Sequence, residues 1–162
     1  MSDQVRHILV SNDARGFAVN KQLNILQDLL GVKPKSTQHV LGLAYSVQKG
    51  LPVSALDRVA GRVSPDDIRR FTYRIVPKPT LERRRRDKKP LTTEESDRLA
   101  RIAKVFAFAF EVFGDEAKAR SFLDRRHPML DDAVPLDIAL ATGPGADAVI
   151  NLLGRAAYGG GV

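Results

Sequence analysis

The residues best suited to chemistry in this chain are cations. Arg83, Arg84, Arg85 and Arg86 stand in a row, with Lys78 and Thr80 before them and Lys88 and Lys89 after. Guanidinium groups donate to phosphate oxygens and to the acceptor edge of guanine, so the expected chemistry is recognition of a polyanion. At roughly 100° per residue four consecutive arginines cannot share one groove, and some must reach backbone phosphate or solvent. The same run would also suit a solvated basic linker.

Groups that could break or make bonds are poorly arranged. Ser121 has Lys118 one helical turn behind it, but a solvated lysine stays protonated and is a weak base. The pairs Asp131-Asp132 and Glu94-Glu95 suit loop and helix-start positions. His7, His39 and His127 have no ligand spacing, and cysteine is absent, so no metal site and no cofactor are expected. Gly143-Pro144-Gly145 has the loose look of a dinucleotide loop, but no strand precedes it and no acid follows at the required distance. Those residues are better explained as the start of a helix. The chain is expected not to be an enzyme.

Charge divides unevenly along the 162 residues. Positions 1–90 hold eighteen Lys and Arg against eight Asp and Glu, a balance of +10, whereas 91–162 hold eight against eleven, a balance of −3. Counterion release would reward contact between the first half and nucleic acid. No apolar run has membrane-spanning length and the start lacks a secretion signal, so a cytoplasmic protein without membrane contact is expected.

The elements that must position these groups read as helices throughout. Up to Asn20 no period is sustained, and a loose arm with a short extended piece at His7 to Val10 is expected. Leu23, Ile25, Leu26, Leu29 and Leu30 have helical spacing, with Gly31 as the stop. After a loop through residues 33–35, Ser36 or Thr37 is expected to cap a helix that ends near Gly50. The next runs over 53–63 with Leu56, Val59 and Ala60 on one face. Ser64 is expected to cap a further helix with Pro65 at its first position and Ile68, Phe71 and Ile75 buried. Pro77 and Pro79 break it, and a short basic helix anchored by Leu81 comes next. The pair forms a candidate helix-turn-helix, with a turn expected to be wider than usual. Thr92 to Glu95 spells a capping box, opening a long apolar helix to about Phe113 that Gly114 ends. Helices over 116–124, 135–141 and 145–156 complete the chain before Tyr158-Gly159-Gly160-Gly161-Val162.

Several stretches together resemble the antitoxins with an Xre/MbcA/ParS-like toxin-binding domain, in particular the Xre partner of RES-type toxins. They are Gly50-Leu51-Pro52, Leu81-Glu82-Arg83-Arg84 after Pro79-Thr80, and Leu91-Thr92 through Glu95-Ser96-Asp97-Arg98-Leu99. Downstream come Val112-Phe113-Gly114, Ala119 with Phe122-Leu123, Pro128 with Leu130, Pro135-Leu136-Asp137, Thr142-Gly143, Val149 with Leu153, and Tyr158-Gly159. Phe122 departs from the tryptophan common there. The likeness spans residues 26–160 and is firmest after Gly50.

The resemblance implies an all-α homodimer: residues 1–89 as a DNA-binding helix-turn-helix domain with its arm, and 90–162 as a toxin-binding domain. It implies a RES-type toxin that depletes NAD, blocked by an antitoxin seated over its active site. NAD is then the toxin's substrate, not a cofactor of this chain. The covering role would fall to the last helix, with Leu152, and to Arg155, Tyr158, Gly159, Gly160, Gly161 and Val162. Repression of its own operon through operator DNA would give the basic half its purpose, with Lys78, Thr80, Arg83 to Arg86, Lys88 and Lys89 at the duplex. A stand-alone helix-turn-helix regulator, whose second half only dimerises or senses a ligand, is the alternative.

Overall fold

The computed structural model of the chain describes residues 22–32 and 39–159. The expected arm, the loop and cap at 33–37, and Gly160 to Val162 lie outside the described residues. Within them every regular element is helical, apart from one antiparallel bridge between His127 and Ala133.

Residues 22–30 form α1, which buries Leu26, Leu29 and Leu30. Gly31 stops it in the left-handed region at φ 64°. Arg58 then donates to the Leu29 and Leu30 carbonyls at 3.3 and 3.0 Å, placing a cation on the negative helix end. Arg58 lies on α3 (Val53–Val63), whose inward face carries Ala55, Leu56, Val59, Ala60 and Val63.

Between α1 and α3 runs α2 (His39–Lys49). Gly50 leaves it at φ 91°, where a Cβ would strike the Leu91 carbonyl oxygen. That close approach lets the Leu91 N–H reach Leu51 O at 2.9 Å, while the Leu51 N–H reaches the buried Ser96 hydroxyl at 2.8 Å.

The start of α4 (Ile68–Ile75) departs from expectation. Ser64 makes no side-chain cap; Pro65–Asp67 form a 3-10 turn instead, and Asp67 caps α4 by accepting from the Arg70 N–H at 3.1 Å. Phe71 and Ile75 are buried, while Ile68, at the first position of the helix, is 43% exposed. Thr72 is buried as well and spends its hydroxyl on the Ile68 carbonyl, at 2.6 Å. Only Val76 and Pro77 separate α4 from α5 (Lys78–Asp87), so the turn is narrower than expected, not wider. Proline is tolerated in the first turn of a helix, and Pro79 belongs to α5 rather than to the break.

The capping box forms as read: Thr92 accepts from the Glu95 N–H and Glu95 accepts from the Thr92 N–H. It opens α6 (Thr93–Phe113), which ends at Gly114 with φ 68°. This helix is the spine of the fold, since α2, α3, α4, α7, α8 and α9 all pack on it. Leu99, Ile102, Ala103, Val105, Phe106, Ala107 and Ala109 are buried around more than half its circumference, as so broad an apolar face requires.

Asp115 caps α7 (Glu116–Asp124). After a 3-10 turn at Pro128–Leu130 comes α8 (Pro135–Ala141), which Thr142 separates from α9 (Gly143–Tyr158). Thr142 accepts from the Gly145 N–H at 3.0 Å, so α9 starts two residues earlier than expected, at Gly143. Gly145 allows this start because a Cβ there would strike the Ile138 carbonyl.

Candidate functional site

Two surfaces gather the residues singled out by their chemistry. The first is α5, fixed by Leu81, which is 2% exposed. The helix phase then sorts the arginines. Arg84, one turn beyond Leu81 on the inner side, donates to Pro90 O at 2.9 Å and pairs with Glu95 at 3.1 Å. Arg85 pairs with Asp57 of α3 at 2.5 Å. Arg83 and Arg86 point outward, the former with no partner among the described residues and the latter 3.3 Å from its neighbour Asp87.

Lys88, left-handed at φ 51°, ends α5, and its N–H reaches the Arg84 and Arg85 carbonyls. Its side chain and that of Lys89 are exposed. At the other end Lys78 is exposed, 3.9 Å from Glu82, and Thr80 is half-buried. Six of the eight expected DNA-contacting residues therefore lie free or loosely paired around α5, while Arg84 and Arg85 are engaged by the rest of the chain. A shallow depression on the outer face is lined by Pro79, Thr80, Glu82, Arg83 and Arg86. Pro79 and Glu82 do not stand out in a run of like charge. The helical stripe 79, 82, 83, 86 is the signal in the sequence that marks them.

The second surface is the end of α9. Ala146, Val149, Leu152 and Leu153 anchor the helix against α6 and α8. Leu152 is 5% exposed and so supports the surface from beneath. Arg155, Ala156, Ala157, Tyr158 and Gly159 are exposed, and Tyr158 is 75% exposed, the most of any large apolar side chain described. Gly160, Gly161 and Val162 fall beyond the described residues.

Elsewhere, between α4 and the α7–α8 pair, lies a cleft lined by Asp66, Asp67, Arg70 and Arg74 on one side and Arg120, Asp124 and Asp137 on the other. Arg74 and Asp137 bridge it at 2.6 Å. The Asp124 carboxyl faces the cleft and is pushed above its ordinary value, chiefly by withdrawal from water, then by Asp137 and Asp66, with Arg120 opposing. Arg62 of α3 pairs with both Asp28 and Glu116, tying α1, α3 and α7 together. Among the described residues no helix is long and apolar enough to cross a membrane, and no group of acids or histidines is spaced to hold a metal ion.

Comparison with known proteins divides the chain along the same lines. Residues 42–104 match the antitoxin Xre-like helix-turn-helix domain, and 108–159 match the antitoxin Xre/MbcA/ParS C-terminal toxin-binding domain. Antitoxin Xre of Yersinia enterocolitica is 32% identical over 120 residues, covering 72% of this chain and 79% of that protein. Antitoxin Xre of Photorhabdus laumondii is 30% identical over 141 residues, covering 85% and 91%. Antitoxin Xre of Pseudomonas putida is 36% identical over 88 residues, where the match spans about half of each chain, 54% and 55%.

Proposed function

The chain belongs to the Xre/MbcA/ParS antitoxin family, and from that premise we propose that it silences a RES-type, NAD-depleting toxin and represses its own operon. The observation that carries this reading is the order of the two matched domains along one continuous chain. The first presents a helix with outward cations, and the second ends in an exposed helical terminus.

In this reading residues 1–89 hold operator DNA. Lys78, Thr80, Arg83, Arg86, Lys88 and Lys89 meet the duplex directly, Arg84 sets the pose of α5 from within, and Arg85 ties its surface to Asp57 of α3. Lys and Arg at phosphates supply affinity and register, and a helix in the major groove supplies the choice of sequence. The protein acts as a homodimer, since two-fold symmetry matches an inverted repeat with half-sites about one helical turn apart or a multiple of it.

Residues 90–162 hold the toxin. Arg155, Tyr158 and the glycines after it enter the mouth of its NAD site, and inhibition is steric: the antitoxin turns over no substrate. An exposed tyrosine offers large contact area at low entropic cost, and glycines fit where side chains would collide.

Co-expression of the chain with the product of the neighbouring gene tests both halves. A stable complex that no longer consumes NAD, and that retains a duplex bearing the operon's own promoter, is expected. A chain that binds the promoter but neither captures nor inhibits the neighbour's product would be a stand-alone regulator instead.

A further inference from the structure

The outward face of α5 is not purely cationic. Leu81 and Arg84 fix its inner side, and at roughly 100° per residue the positions opposite are Pro79 and Arg86, flanked by Glu82 on one side and Arg83 on the other. Glu82 therefore lies on the flank of the face that would enter a groove, within the same depression as Arg83 and Arg86 and with its side chain 63% exposed.

A carboxylate is an odd choice there. Every phosphate along a duplex repels it, and its ion pair with Lys78, at 3.9 Å between two exposed side chains, adds little to the helix. The floor of the major groove can reward an anion, because the N4 amino group of cytosine and the N6 amino group of adenine point out there as donors. The N7 acceptor beside N6 opposes a carboxylate, which leaves cytosine the better partner. Arg83 and Arg86 adjoin Glu82 on the same face and can hold the flanking phosphates or an adjacent guanine while the carboxylate reaches the base.

Resting on the DNA-binding reading above, we propose that Glu82 is a specificity-determining residue that accepts a hydrogen bond from a cytosine N4 amino group in each operator half-site. The arginines hold the helix on the duplex, and the glutamate chooses where it settles. A phosphate-facing role for the whole face would leave Glu82 a pure liability.

The test is selection of duplexes from a library of randomised inverted repeats by the full-length chain, E82Q and E82A, each first shown by circular dichroism to fold and melt like the parent. The parent should enrich cytosine at one position of each half-site. E82Q should move the preference at that position toward adenine, because an amide can pair with both N6 and N7 of that base. E82A should lose the preference there, keep it elsewhere, and bind mismatched duplexes more tightly, shrinking the discrimination at that position by roughly tenfold. Identical motifs from all three chains would overturn the assignment while leaving DNA binding intact. Failure of the parent to enrich any sequence would instead remove the DNA-binding reading, and Glu82's role with it.

Discussion

Arg84 and Glu95 close an ion pair at 3.1 Å with side chains only 15% and 14% exposed, and the same carboxylate accepts the Thr92 N–H at 2.8 Å. One glutamate thus caps the longest helix and locks the basic helix onto it. R84A would strand that carboxylate in a poorly hydrated place, so a loss of about 2–3 kcal/mol is expected. Chemical denaturation measures it, and a change below about 0.5 kcal/mol would show the pair to be idle.

R83A with R86A should do the reverse. Both side chains are exposed and neither holds another helix in place, so stability should stay within about 0.5 kcal/mol of the parent. DNA affinity should fall, and the slope of log K against log salt should flatten by about one for each phosphate that the variant no longer neutralises. Titrations at several salt concentrations decide it; an unchanged slope would remove these arginines from the duplex.

S96A probes the seam between α2 and α6. The Ser96 hydroxyl is the acceptor for the buried Leu51 N–H, and without it that donor is left unpaired at a cost of about 1–3 kcal/mol. Gly50→Ala should cost at least as much, because the residue is at φ 91° and its new methyl would meet the Leu91 carbonyl. Thermal melts of both variants at or above the parent's midpoint would refute these roles for the hydroxyl and the glycine.

Removing residues 158–162 should relieve toxin inhibition and leave the fold alone, since Tyr158 is mostly exposed and the core of α9 ends at Leu153. An NAD-consumption assay on the purified pair reads the first effect and a melt the second. Full inhibition by the shortened chain would assign the blocking to the helical surface.

The cleft carries a pH dependence. Burial, Asp137 and Asp66 outweigh Arg120 and raise the Asp124 carboxyl, and its place in the last turn of α7 adds the negative helix end to the same side. The folded chain therefore holds this proton more tightly than the unfolded one. The resulting stabilisation is present in acid and is lost as pH rises through the raised value. D124N, always neutral, should exceed the parent's stability by a few tenths of a kcal/mol near neutrality, the carboxyl being partly solvated. The advantage should fade toward the ordinary carboxylate range. A variant less stable than the parent at about pH 7 would contradict the sign.

Much of this architecture was legible where the signal is local. Thr92 and Glu95 announce their cap within four residues, and Gly31, Gly50 and Gly114 mark helix ends that all prove left-handed. The matched domains run in the order that the resemblance implied. What was illegible depended on distant partners or on phase. Whether Ser64 or Asp67 caps α4 turns on a 3-10 turn that sequence spacing does not reveal, and that turn leaves Ile68 at the exposed start of the helix. Arg84 and Arg85 look like their neighbours in the sequence; only Glu95 and Asp57, brought in by other helices, set them apart. Leu152 fitted a contact surface by proximity to the tail, yet its phase on α9 turns it inward.

The two matched domains meet between residues 104 and 108, in the middle of the 21-residue α6. They share one continuous rod about 30 Å long and are not beads on a string. Adding a single residue at that junction would swing everything downstream by about 100° and tear its packing. A lineage that trades one adversary for another must therefore splice in helical register, and a chimera builder must cut there without changing the residue count.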